Sequence, residues 1–492
     1  MFPTIQTRPI IGLEIHVQLA TRTKLFCSCP LEFGAEPNSR VCPVCLGMPG
    51  VLPVMNELAY EYSVRTALAL NCKIAGHTKW DRKSYYYPDL PKNYQISQYD
   101  LPLSYDGYLD IPINGGVKRV GIIRAHLEED AGKNQHEDPR FTQVDLNRTG
   151  TPLLEIVTEP DLASADEAYV FCTELQKLVT YLGVSEASMQ KGQMRFEPNI
   201  NVAITADGVE YRTPIVEVKN LNSFRSVREA IAYEIERHIQ DWQADHDYTL
   251  DKKGKENRGW DDNRGVTEFQ RGKEDAHDYR YFPEPDLVPV ELSEQRLNEL
   301  RATVPELPIA RRTRFMTEFG LSAEDAEMIV ADRTTADLFE EAIDLGSGVK
   351  TLCKHFINVW AKFANDRKTT VAGLGVDASR MAELAGLVVD GEISASAATT
   401  LAETMLDDPA SPGALADRLQ LRKVVDTDQT ADWVDAAFTA NAKAVSDAQS
   451  NPKKRNAAAG FLRGQVMKLS KGQADPKLVG ELIEKKLDAA GA

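Results

Sequence analysis

The stretch IGLEIHVQL, residues 11–19, decides the fold of the first half of the chain. Apolar residues alternate with small or polar ones, and a period of two is the pattern of a strand buried on one face. The apolar positions are Ile11, Leu13, Ile15, Val17 and Leu19. Glu14 and His16 lie between them, two residues apart, so their side chains point to the same face.

The same alternation recurs along the first 290 residues and predicts an antiparallel sheet. A second strand carries Ile123, Ala125 and Leu127 on one face and Arg124, His126 and Glu128 on the other. Further strands are predicted at residues 142–146, 153–157, 199–205 and 213–219. Two helices are predicted from capping boxes at Ser164–Glu167 and Ser226–Glu229, and the first ends at Gly183. Together these elements predict an α+β domain.

Beyond the predicted sheet the chain changes character twice. Residues 245–275 are dense in charge, Asn and Gly, and predict a mobile loop or an insertion. From Ser293 onward almost every segment has helical periodicity, with a cap at Ser322–Asp325. We therefore predict a sheet domain at 1–293, an all-α helical domain at 294–404 and a small helical tail domain at 405–492.

The composition excludes several classes of protein. With 42% hydrophobic and 27% charged residues the chain is not disordered, and its apolar runs are far shorter than the ~20 residues of a membrane helix. The N-terminus lacks a basic segment followed by an apolar run, so we expect no signal peptide and a cytoplasmic location.

The charge is unevenly distributed along the chain. A net charge of −17 argues against a protein coated with nucleic acid, but it leaves a local basic footprint open. Residues 451–492 contain nine Lys or Arg against four Asp or Glu. On this count alone, a solvated helix face is the simpler interpretation.

Four of the seven cysteines form two close pairs, Cys27 with Cys29 and Cys42 with Cys45. In a chain without an export signal this spacing favours zinc over disulfides, because four thiolates can close a tetrahedron around the ion. Four sulfur ligands leave no position for water, so we expect a structural site. Four buried or redox-active cysteines are the alternative. The remaining three are predicted core residues: Cys72, Cys172 and Cys353.

Several carboxylates could converge on the polar face of the sheet. Glu14 and His16 share one strand, Glu128 and Glu129 end another in HLEEDAGK, and Glu155 lies within TPLLEIVTEPDL. Carboxylates with an imidazole suit a divalent cation that bridges phosphate oxygens, although any single glutamate is more often a solvated strand residue. Basic groups that could contact phosphate lie nearby in sequence: Lys79, Arg82, Lys83, Lys92, Arg148 and Arg195.

Common nucleotide-binding and hydrolase motifs are missing from the sequence. The segment Gly348-Val-Lys350-Thr351 has the tail of a P-loop, but Ile343 stands where the first glycine belongs. No strand leads through GxGxxG into a helix, and no serine or cysteine stands in a recognisable hydrolase motif. If this chain uses ATP, it does so without a P-loop.

A series of blocks along the chain resembles the B subunit of the glutamyl/aspartyl-tRNA(Gln/Asn) amidotransferase family. The blocks are IGLEIHVQL, CPVCLGMPGVLPVMN, YYYPDLPKNYQISQYD, HLEEDAGK, VDLNRTGTPLLEIVTEPDL, VKNLNSF and DYRYFPEPDL. The resemblance covers nearly all of residues 9–290 and continues more weakly to NPKKRNAAAGFLRGQVMKLSKGQADP at 451–476. DLNRTGTPLLE is close to a signature of the family.

The resemblance implies a cradle-shaped catalytic domain similar to glutamine synthetase, then a helical domain and a tail domain that contacts tRNA. The family uses ATP and Mg²⁺ to phosphorylate the side-chain carboxylate of mischarged Glu-tRNA(Gln) or Asp-tRNA(Asn). Ammonia released from glutamine by the amidase (glutaminase), or A, subunit then displaces the phosphate, and a small C subunit completes the heterotrimer. A ligase that forms carbon–nitrogen bonds is therefore expected.

Carried over residue by residue, the resemblance implies magnesium ligands at Glu14, His16, Glu129 and Glu155. It implies a zinc knuckle at Cys27, Cys29, Cys42 and Cys45. The basic groups expected to bind the cofactor are Lys79, Lys83, Lys92, Arg148 and Arg195. One block departs from the family: where many relatives read GSLRCDAN, residues 192–199 read GQMRFEPN, which leaves the role of Glu197 open.

Two other functions compete with the ligase. A non-catalytic, zinc-containing tRNA-binding scaffold would have no need of the predicted magnesium ligands, so their presence favours the enzyme. A stand-alone metal-dependent hydrolase would need no amidase partner. The sequence does not distinguish Glu-tRNA(Gln) from Asp-tRNA(Asn) as the substrate.

Overall fold

A computed structural model of the chain describes residues 5–114, 116–138, 140–272, 278–346, 348–423, 427–450, 452–470 and 472–489. The chain divides into two compact units, Met1–Ile309 and Ala310–Ala492. The first unit mixes a large sheet with helices, and the second is built of helices, so the predicted α+β class is confirmed. The three-domain division at residues 293 and 405 stays a prediction. Within the described ranges, the model contains no helix that combines the length and apolar character needed to cross a bilayer.

The strands of the first unit are β1 (Gln6–Gln18), β2 (Lys73–Ile74), β3 (His77–Thr78), β4 (Asp81–Ser84), β5 (Tyr94–Ser97), β6 (Ser104–Ile113), β7 (Gly116–Glu129), β8 (Lys133–Asp138), β9 (Phe141–Asp145), β10 (Pro152–Thr158), β11 (Met194–Ala206), β12 (Val209–Arg212), β13 (Ile215–Lys219), β14 (Lys255–Asp261), β15 (Val266–Arg271), β16 (Phe282–Pro283) and β17 (Val290–Glu291). Its helices are α1 (Glu57–Ala69), α2 (Ala165–Tyr181), α3 (Phe224–Ala244), α4 (Leu250–Lys253) and α5 (Glu294–Ala302).

The main sheet has the strand order β15-β14-β13-β11-β1-β10-β7-β6-β2, with β12 paired to β11. Its neighbours are antiparallel except β13 and β14, which run parallel. β1 therefore lies in the interior of the sheet, with β10 on one side and β11 on the other. One face of β1 is buried in the core, where Ile11, Leu13 and Ile15 pack with apolar residues of α2 and α3. The opposite face carries Glu14 and His16.

The two long helices begin where serine side chains cap them. Ser164 caps α2 by accepting a hydrogen bond from the backbone N–H of Glu167, as predicted. The predicted start of α3 is wrong by three residues, because Ser223 is the cap and accepts from the N–H of Ser226 at 3.0 Å. Ser226 itself lies inside the helix and is buried.

The mobile loop predicted at residues 245–275 is wrong for most of its length. The chain forms α4 and the hairpin β14–β15, which extends the main sheet at its edge. Trp260 and Thr267 are buried, so the hairpin has an inner face, and the charged Arg258 lies on that face too, where it donates hydrogen bonds to Thr267. Residues 273–277 lie outside the described ranges.

β7 contains an irregularity that the alternation did not predict. The pairing of β10 with β7 shifts between Val157, opposite Arg124, and Thr158, opposite Ile122. The extra residue, Ile123, is exposed and Ile122 is buried instead, so the predicted inward position of Ile123 is wrong. A bulge of this kind inverts the facing of the side chains on one side of it.

The second unit consists of helices that pack around two apolar clusters. The helices are α6 (Pro308–Glu318), α7 (Ala323–Val330), α8 (Arg333–Asp344), α9 (Val349–His355), α10 (Ala361–Asp366), α11 (Ala378–Val389), α12 (Ala395–Met405), α13 (Pro412–Arg418), α14 (Thr427–Ala440), α15 (Ala442–Ser450), α16 (Pro452–Leu469) and α17 (Pro476–Ala489). Phe339, Phe356 and Trp360 belong to the first cluster, and Leu462 and Ile483 to the second. Ser322 caps α7, as predicted.

Candidate active site and cysteine cluster

The register of the sheet places four polar side chains in one row across four strands. His16 of β1 lies opposite Arg195 of β11 and opposite Glu155 of β10. Glu155 in turn lies opposite His126 of β7. Residues that face each other across antiparallel strands project from the same side of the sheet. The row Arg195–His16–Glu155–His126 is therefore fixed by backbone pairing alone.

Two sets of potential metal ligands lie along this row and share Glu155. Glu14, His16 and Glu155 form the first set, and His126, Glu128 and Glu155 form the second, with one donor atom of each residue within 4.8 Å of the others in its set. The His16 Nε2 atom is 3.6 Å from Glu155 Oε2 and 3.8 Å from Glu14 Oε1. The His126 Nε2 atom is 3.5 Å from Glu155 Oε2. Carboxylates with imidazoles at these spacings are suited to divalent cations.

The structure does not bring the predicted ligand Glu129 to this row. Its side chain lies on the other face of β7, where it pairs with the ammonium group of Lys92 and accepts a hydrogen bond from the N–H of Ile96 at 2.9 Å. Glu128 occupies the position expected of Glu129 and accepts a hydrogen bond from Ser97 Oγ at 3.1 Å. Because successive strand residues face opposite ways, the structure separates Glu129, and with it Lys92, from the row, and their predicted roles stay predictions.

The row lines an open cavity of about 570 Å³. Of the five predicted cofactor-binding cations, Lys83 and Arg195 line this cavity, whereas Lys92 lies behind the sheet. Lys79 pairs with Asp81 and Asp100. Arg148 donates to the carbonyl oxygens of Ala131 and Gly132 at 2.8 and 2.6 Å, and neither Lys79 nor Arg148 lines the cavity.

Crowded charges shift the pKa values of the groups in the row. Burial, and then the charge of Glu155, raises the pKa of Glu14 to about 7. Burial alone would lower the pKa of His16, but the neighbouring Glu155 raises it to about 9. Burial would also raise the pKa of Glu155, but His126 and His16 hold it well below its usual range. The carboxylates of Glu14 and Glu155 thus concentrate negative charge that a cation can offset.

Glu197, whose role the sequence left open, also lines the cavity. It lies opposite Glu14 in the sheet, and the Lys219 ammonium group binds it at 2.5 Å. Burial alone would raise the pKa of Glu197, but the charge of Lys219 lowers it to about 2. Glu197 is therefore held as a carboxylate and is already paired with a cation.

The two cysteine pairs meet in space. The four sulfur atoms of Cys27, Cys29, Cys42 and Cys45 lie within 4.8 Å of one another, and the Sγ atoms of Cys42 and Cys45 are 3.9 Å apart. A tetrahedral zinc ion with Zn–S bonds of ~2.3 Å places its ligands about 3.8 Å apart. The residues present therefore fit a zinc ion.

The surroundings of the cluster favour a thiolate at Cys45, whereas the hydrogen bond to Cys45 raises the pKa of Cys27 and burial raises the pKa of Cys29. A hydrogen bond from the Cys27 thiol, aided by the backbone N–H of Cys42 at 3.1 Å, lowers the pKa of Cys45 to about 4. The ammonium group of Lys24, a fully buried residue, lies 3.6 Å from Cys45 Sγ. A separate cavity of about 170 Å³ lies between the cluster and Glu129. Because Glu128 lines the other cavity, the cluster stands behind the strand that carries the candidate site.

Most of the chain matches models of known protein families. Residues 9–298 match the model of the GatB/GatE catalytic domain, and residues 337–487 match a GatB domain. The first match alone covers more than half of the chain. The chain belongs to the GatB/GatE family.

Similar members of the GatB/GatE family are named as B subunits of aspartyl/glutamyl-tRNA(Asn/Gln) amidotransferase. The relative from Caldanaerobacter subterraneus subsp. tengcongensis is 44% identical over 97% of this chain and 98% of its own length. The relative from Carboxydothermus hydrogenoformans is 43% identical with the same coverage, and that from Geotalea daltonii is 45% identical over 98% of this chain and all of its own length. The expected family is confirmed, as is the expectation that the chain is a component of an amidotransferase enzyme.

Sequence reasoning missed His126 as a member of the candidate site and weighed Glu128 only beside Glu129, although the signal for both was present. The alternation through Arg124, His126 and Glu128 already placed these three side chains on the polar face of β7. The resemblance pointed instead to the second glutamate of the EED block. Lys219 gave no local signal, because it reaches Glu197 only through the long-range pairing of β13 with β11.

Proposed function

We propose that this chain is the amidotransferase component that uses ATP to activate the side-chain carboxylate of Glu-tRNA(Gln) or Asp-tRNA(Asn). The observation that carries the proposal is the row Arg195–His16–Glu155–His126 in an open cleft, flanked by Glu14 and Glu128. The aminoacyl-tRNA substrate is inferred from the names of the relatives, which include aspartyl/glutamyl-tRNA(Asn/Gln). Since the sequence has no P-loop, side chains of the cleft must hold the phosphates of ATP.

The proposed reaction has two steps. A carboxylate is a poor electrophile, because its oxygen does not leave as oxide. An oxygen of the substrate carboxylate therefore attacks the γ-phosphorus of ATP, the bond to the bridging oxygen breaks, and ADP leaves with that electron pair. Ammonia then attacks the acyl carbon of the acyl phosphate. The carbon–oxygen bond breaks, phosphate leaves, and the nitrogen loses a proton to give the amide.

Two kinds of side chain in the cleft would offset the negative charge of the phosphates: ligands for divalent cations and the ammonium group of Lys83. Divalent cations, for which Mg²⁺ is the family expectation, would be held by the two ligand sets that share Glu155, and when bound they would offset charge on the transferring phosphoryl group. Lys83 adds a positive charge from the chain itself. Burial would lower the pKa of Lys83, but the charges of Glu128 and Glu155 hold it above its usual range. A permanently charged ammonium group beside the carboxylates suits phosphate binding.

The remaining parts of the proposal concern partners and structure. Since the chain has no recognisable glutaminase nucleophile, the amidase, or A, subunit would supply the ammonia, and a small C subunit would complete a cytoplasmic heterotrimer. The cysteine cluster would hold one structural zinc ion. The first unit would serve as the catalytic cradle, similar to that of glutamine synthetase, and the tail at 405–492 would contact tRNA through basic residues of α16.

An isotope experiment tests the activation step. The assembled wild-type complex is given mischarged tRNA whose side-chain carboxylate carries ¹⁸O, together with ATP and glutamine. Attack by that carboxylate leaves one ¹⁸O atom in the inorganic phosphate that is released. Phosphate free of ¹⁸O alongside normal amidation would contradict the acyl phosphate. ATP cleavage at the same rate with uncharged tRNA would favour a hydrolase instead.

A further inference from the structure

Tyrosines from two distant segments form one wall of the cleft. Tyr85 and Tyr99 come from the block at residues 85–100, and Tyr279 and Tyr281 come from the block at 278–287. All four line the 570 Å³ cavity that also contains the row of polar side chains around Glu155. The rings of Tyr99 and Tyr281 are stacked, with their centroids 4.2 Å apart and their planes 10° from parallel.

Backbone and ionic contacts fix the two segments to each other. β16 pairs with β4, which places Phe282 opposite Arg82, and the N–H of Ser84 donates to the Tyr279 carbonyl oxygen at 2.8 Å. The Arg82 guanidinium binds both carboxylate oxygens of buried Glu284, at 2.6 and 2.9 Å. The tyrosine wall is therefore a preformed surface, and a ligand would bind without the entropic cost of ordering it.

Tyr99 is a large aromatic residue whose ring is only partly covered by its neighbours in the chain. Tyr281 covers one face of its ring, yet the residue remains 55% exposed at the edge of the cavity. Tyrosine presents a large flat surface at a low cost in side-chain entropy. An exposed ring that is backed by a second ring in a polar cleft is the arrangement that proteins use to stack nucleobases.

Lys83 lies between the tyrosine wall and the carboxylates in the lining of one cavity. Its ammonium group is 4.7 Å from the ring centroid of Tyr279, and Lys83 lines the same cavity as Glu128 and Glu155. An aromatic surface, a cation and cation-binding carboxylates, which suit a base, its phosphates and the reacting group, thus share this cavity.

We propose that Tyr99, backed by Tyr281, is the platform on which an adenine base stacks in this cleft. The inference rests on the proposed function, which brings two adenosines to the cleft: that of ATP and the terminal adenosine of the aminoacyl-tRNA. The stacking chemistry is the same for both. Loss of one stacked base weakens binding by about 5- to 150-fold, which sets the size of the expected effect.

The test compares the assembled wild-type complex with three variants. Tyr99→Leu removes the ring, Tyr99→Phe keeps it, and Tyr86→Leu removes a ring that is 73% exposed but does not line the cavity. For each complex, three quantities are measured: the Kd for ADP alone, the Kd for mischarged tRNA without ATP, and the KM for ATP in amidation. Thermal unfolding confirms that each variant is folded.

We expect Tyr99→Leu to weaken binding by roughly tenfold, with Tyr99→Phe and Tyr86→Leu within twofold of wild type. A change confined to ADP and ATP identifies the platform as the site of the ATP base. A change confined to tRNA assigns it to the terminal adenosine. All three constants within twofold of wild type in Tyr99→Leu would overturn the platform while leaving the proposed function intact.

The binding measurements also distinguish the two proposals if the proposed function fails and the platform stands. They require no turnover, so a wild-type complex that binds ADP or tRNA in a Tyr99-dependent way but cleaves no ATP with mischarged tRNA would overturn the proposed function. The platform would stand. Equal weakening in Tyr86→Leu and Tyr99→Leu would overturn the platform, because the effect would then not depend on the cavity.

Discussion

Glu128 and Glu129 share a peptide bond and lie on opposite faces of β7. Glu128 faces the cleft, where its carboxylate lies 3.7 Å from His16 Nε2 and 3.7 Å from His126 Nε2. Glu129 faces the cysteine cluster and forms a buried ion pair with Lys92. The two carboxylates therefore have different surroundings: one belongs to a candidate cation site, and the other neutralises a buried ammonium group.

This relationship gives a matched pair of variants. Glu128→Gln should lower mischarged-tRNA-dependent ATP cleavage by about 10²–10³, with little change in stability, because it removes charge from the cation site. Glu129→Gln should lower the free energy of unfolding by about 3 kcal/mol, since it leaves buried Lys92 without a counter-charge. Steady-state kinetics and urea unfolding of both variants check this. The opposite pattern, with activity lost in Glu129→Gln alone, would return Glu129 to the site.

Glu155 belongs to both ligand sets, so its replacement should affect more than that of Glu14. Glu155→Gln should weaken Mn²⁺ binding at both positions and Glu14→Gln at one, as titration followed by electron paramagnetic resonance would show. Amidation by the assembled Glu155→Gln complex should fall by about 10²–10³, while its basal glutaminase activity persists. Near wild-type amidation would contradict the placement of the site. Loss of both activities would point to failed assembly.

The cysteine cluster should hold one zinc ion per chain. Elemental analysis of protein purified without added metal checks the stoichiometry, and less than a tenth of an equivalent in folded protein would contradict it. Cys42→Ser should lose the metal and destabilise the first unit, because structural zinc contributes folding free energy directly. Cys353→Ala, in the apolar core of the second unit, should retain the metal and serves as the control.

A buried network behind the sheet should make stability depend on pH. Burial would raise the pKa of Glu234, but the nearby imidazole of His238, 3.2 Å away, and the hydrogen bonds from Arg237 lower it to about 2. Its ordinary value is 4.5, so its contribution of about 3 kcal/mol is complete above pH 4.5 and is lost as the pH falls towards 2. The difference in unfolding free energy between wild type and Glu234→Gln should shrink across that range. A difference that stays constant from pH 7 to pH 3 would refute the assignment.

The exposed basic residues of α16 should contribute to tRNA affinity. Arg463 and Lys468 are exposed on this helix. Replacing both with Ala should weaken tRNA binding and reduce the slope of log K against log salt by about 1 to 2, with no effect on ATP cleavage at saturating tRNA. Lys252→Ala/Lys253→Ala, which removes the same charge from α4, is the control. An unchanged slope would assign another role to the tail.

The parts of the fold that the sequence predicted are those with strong local signals. IGLEIHVQL predicted β1 because every second residue is apolar, and Ser164 predicted the start of α2 because its cap lies within three residues. The outward turn of Ile123 depends on the register of β10 against β7, which no local pattern contains. The hairpin β14–β15 was missed because its charged residues obscure the alternation, and Arg258 on its inner face pairs with Glu234 of α3, which is distant in sequence.

In the candidate site, too, features with a local sequence signal were predicted and those set by long-range contacts were not. The shared face of Glu14 and His16 followed from spacing, and the meeting of the cysteine pairs was foreseen from their pattern. Which glutamate of the EED block faces the cleft was decided by strand alternation, which the resemblance overrode. That Arg148 lies outside the cavity could not be foreseen, because it is bound by backbone carbonyls of another segment. For Lys79, the nearby Asp81 was a visible partner, whereas Asp100 was not.

The position of β1 has a consequence for how the protein is made on the ribosome. Ile15 pairs with Ile156 on one side and with Phe196 on the other, so the strand emerges long before either partner. At 5–20 residues per second, its neighbours follow after roughly 7–40 s. During this interval an apolar strand with both hydrogen-bonding edges free is exposed to the other nascent chains of a polysome. The strand that carries Glu14 and His16 thus emerges well before the two strands that pair with its edges.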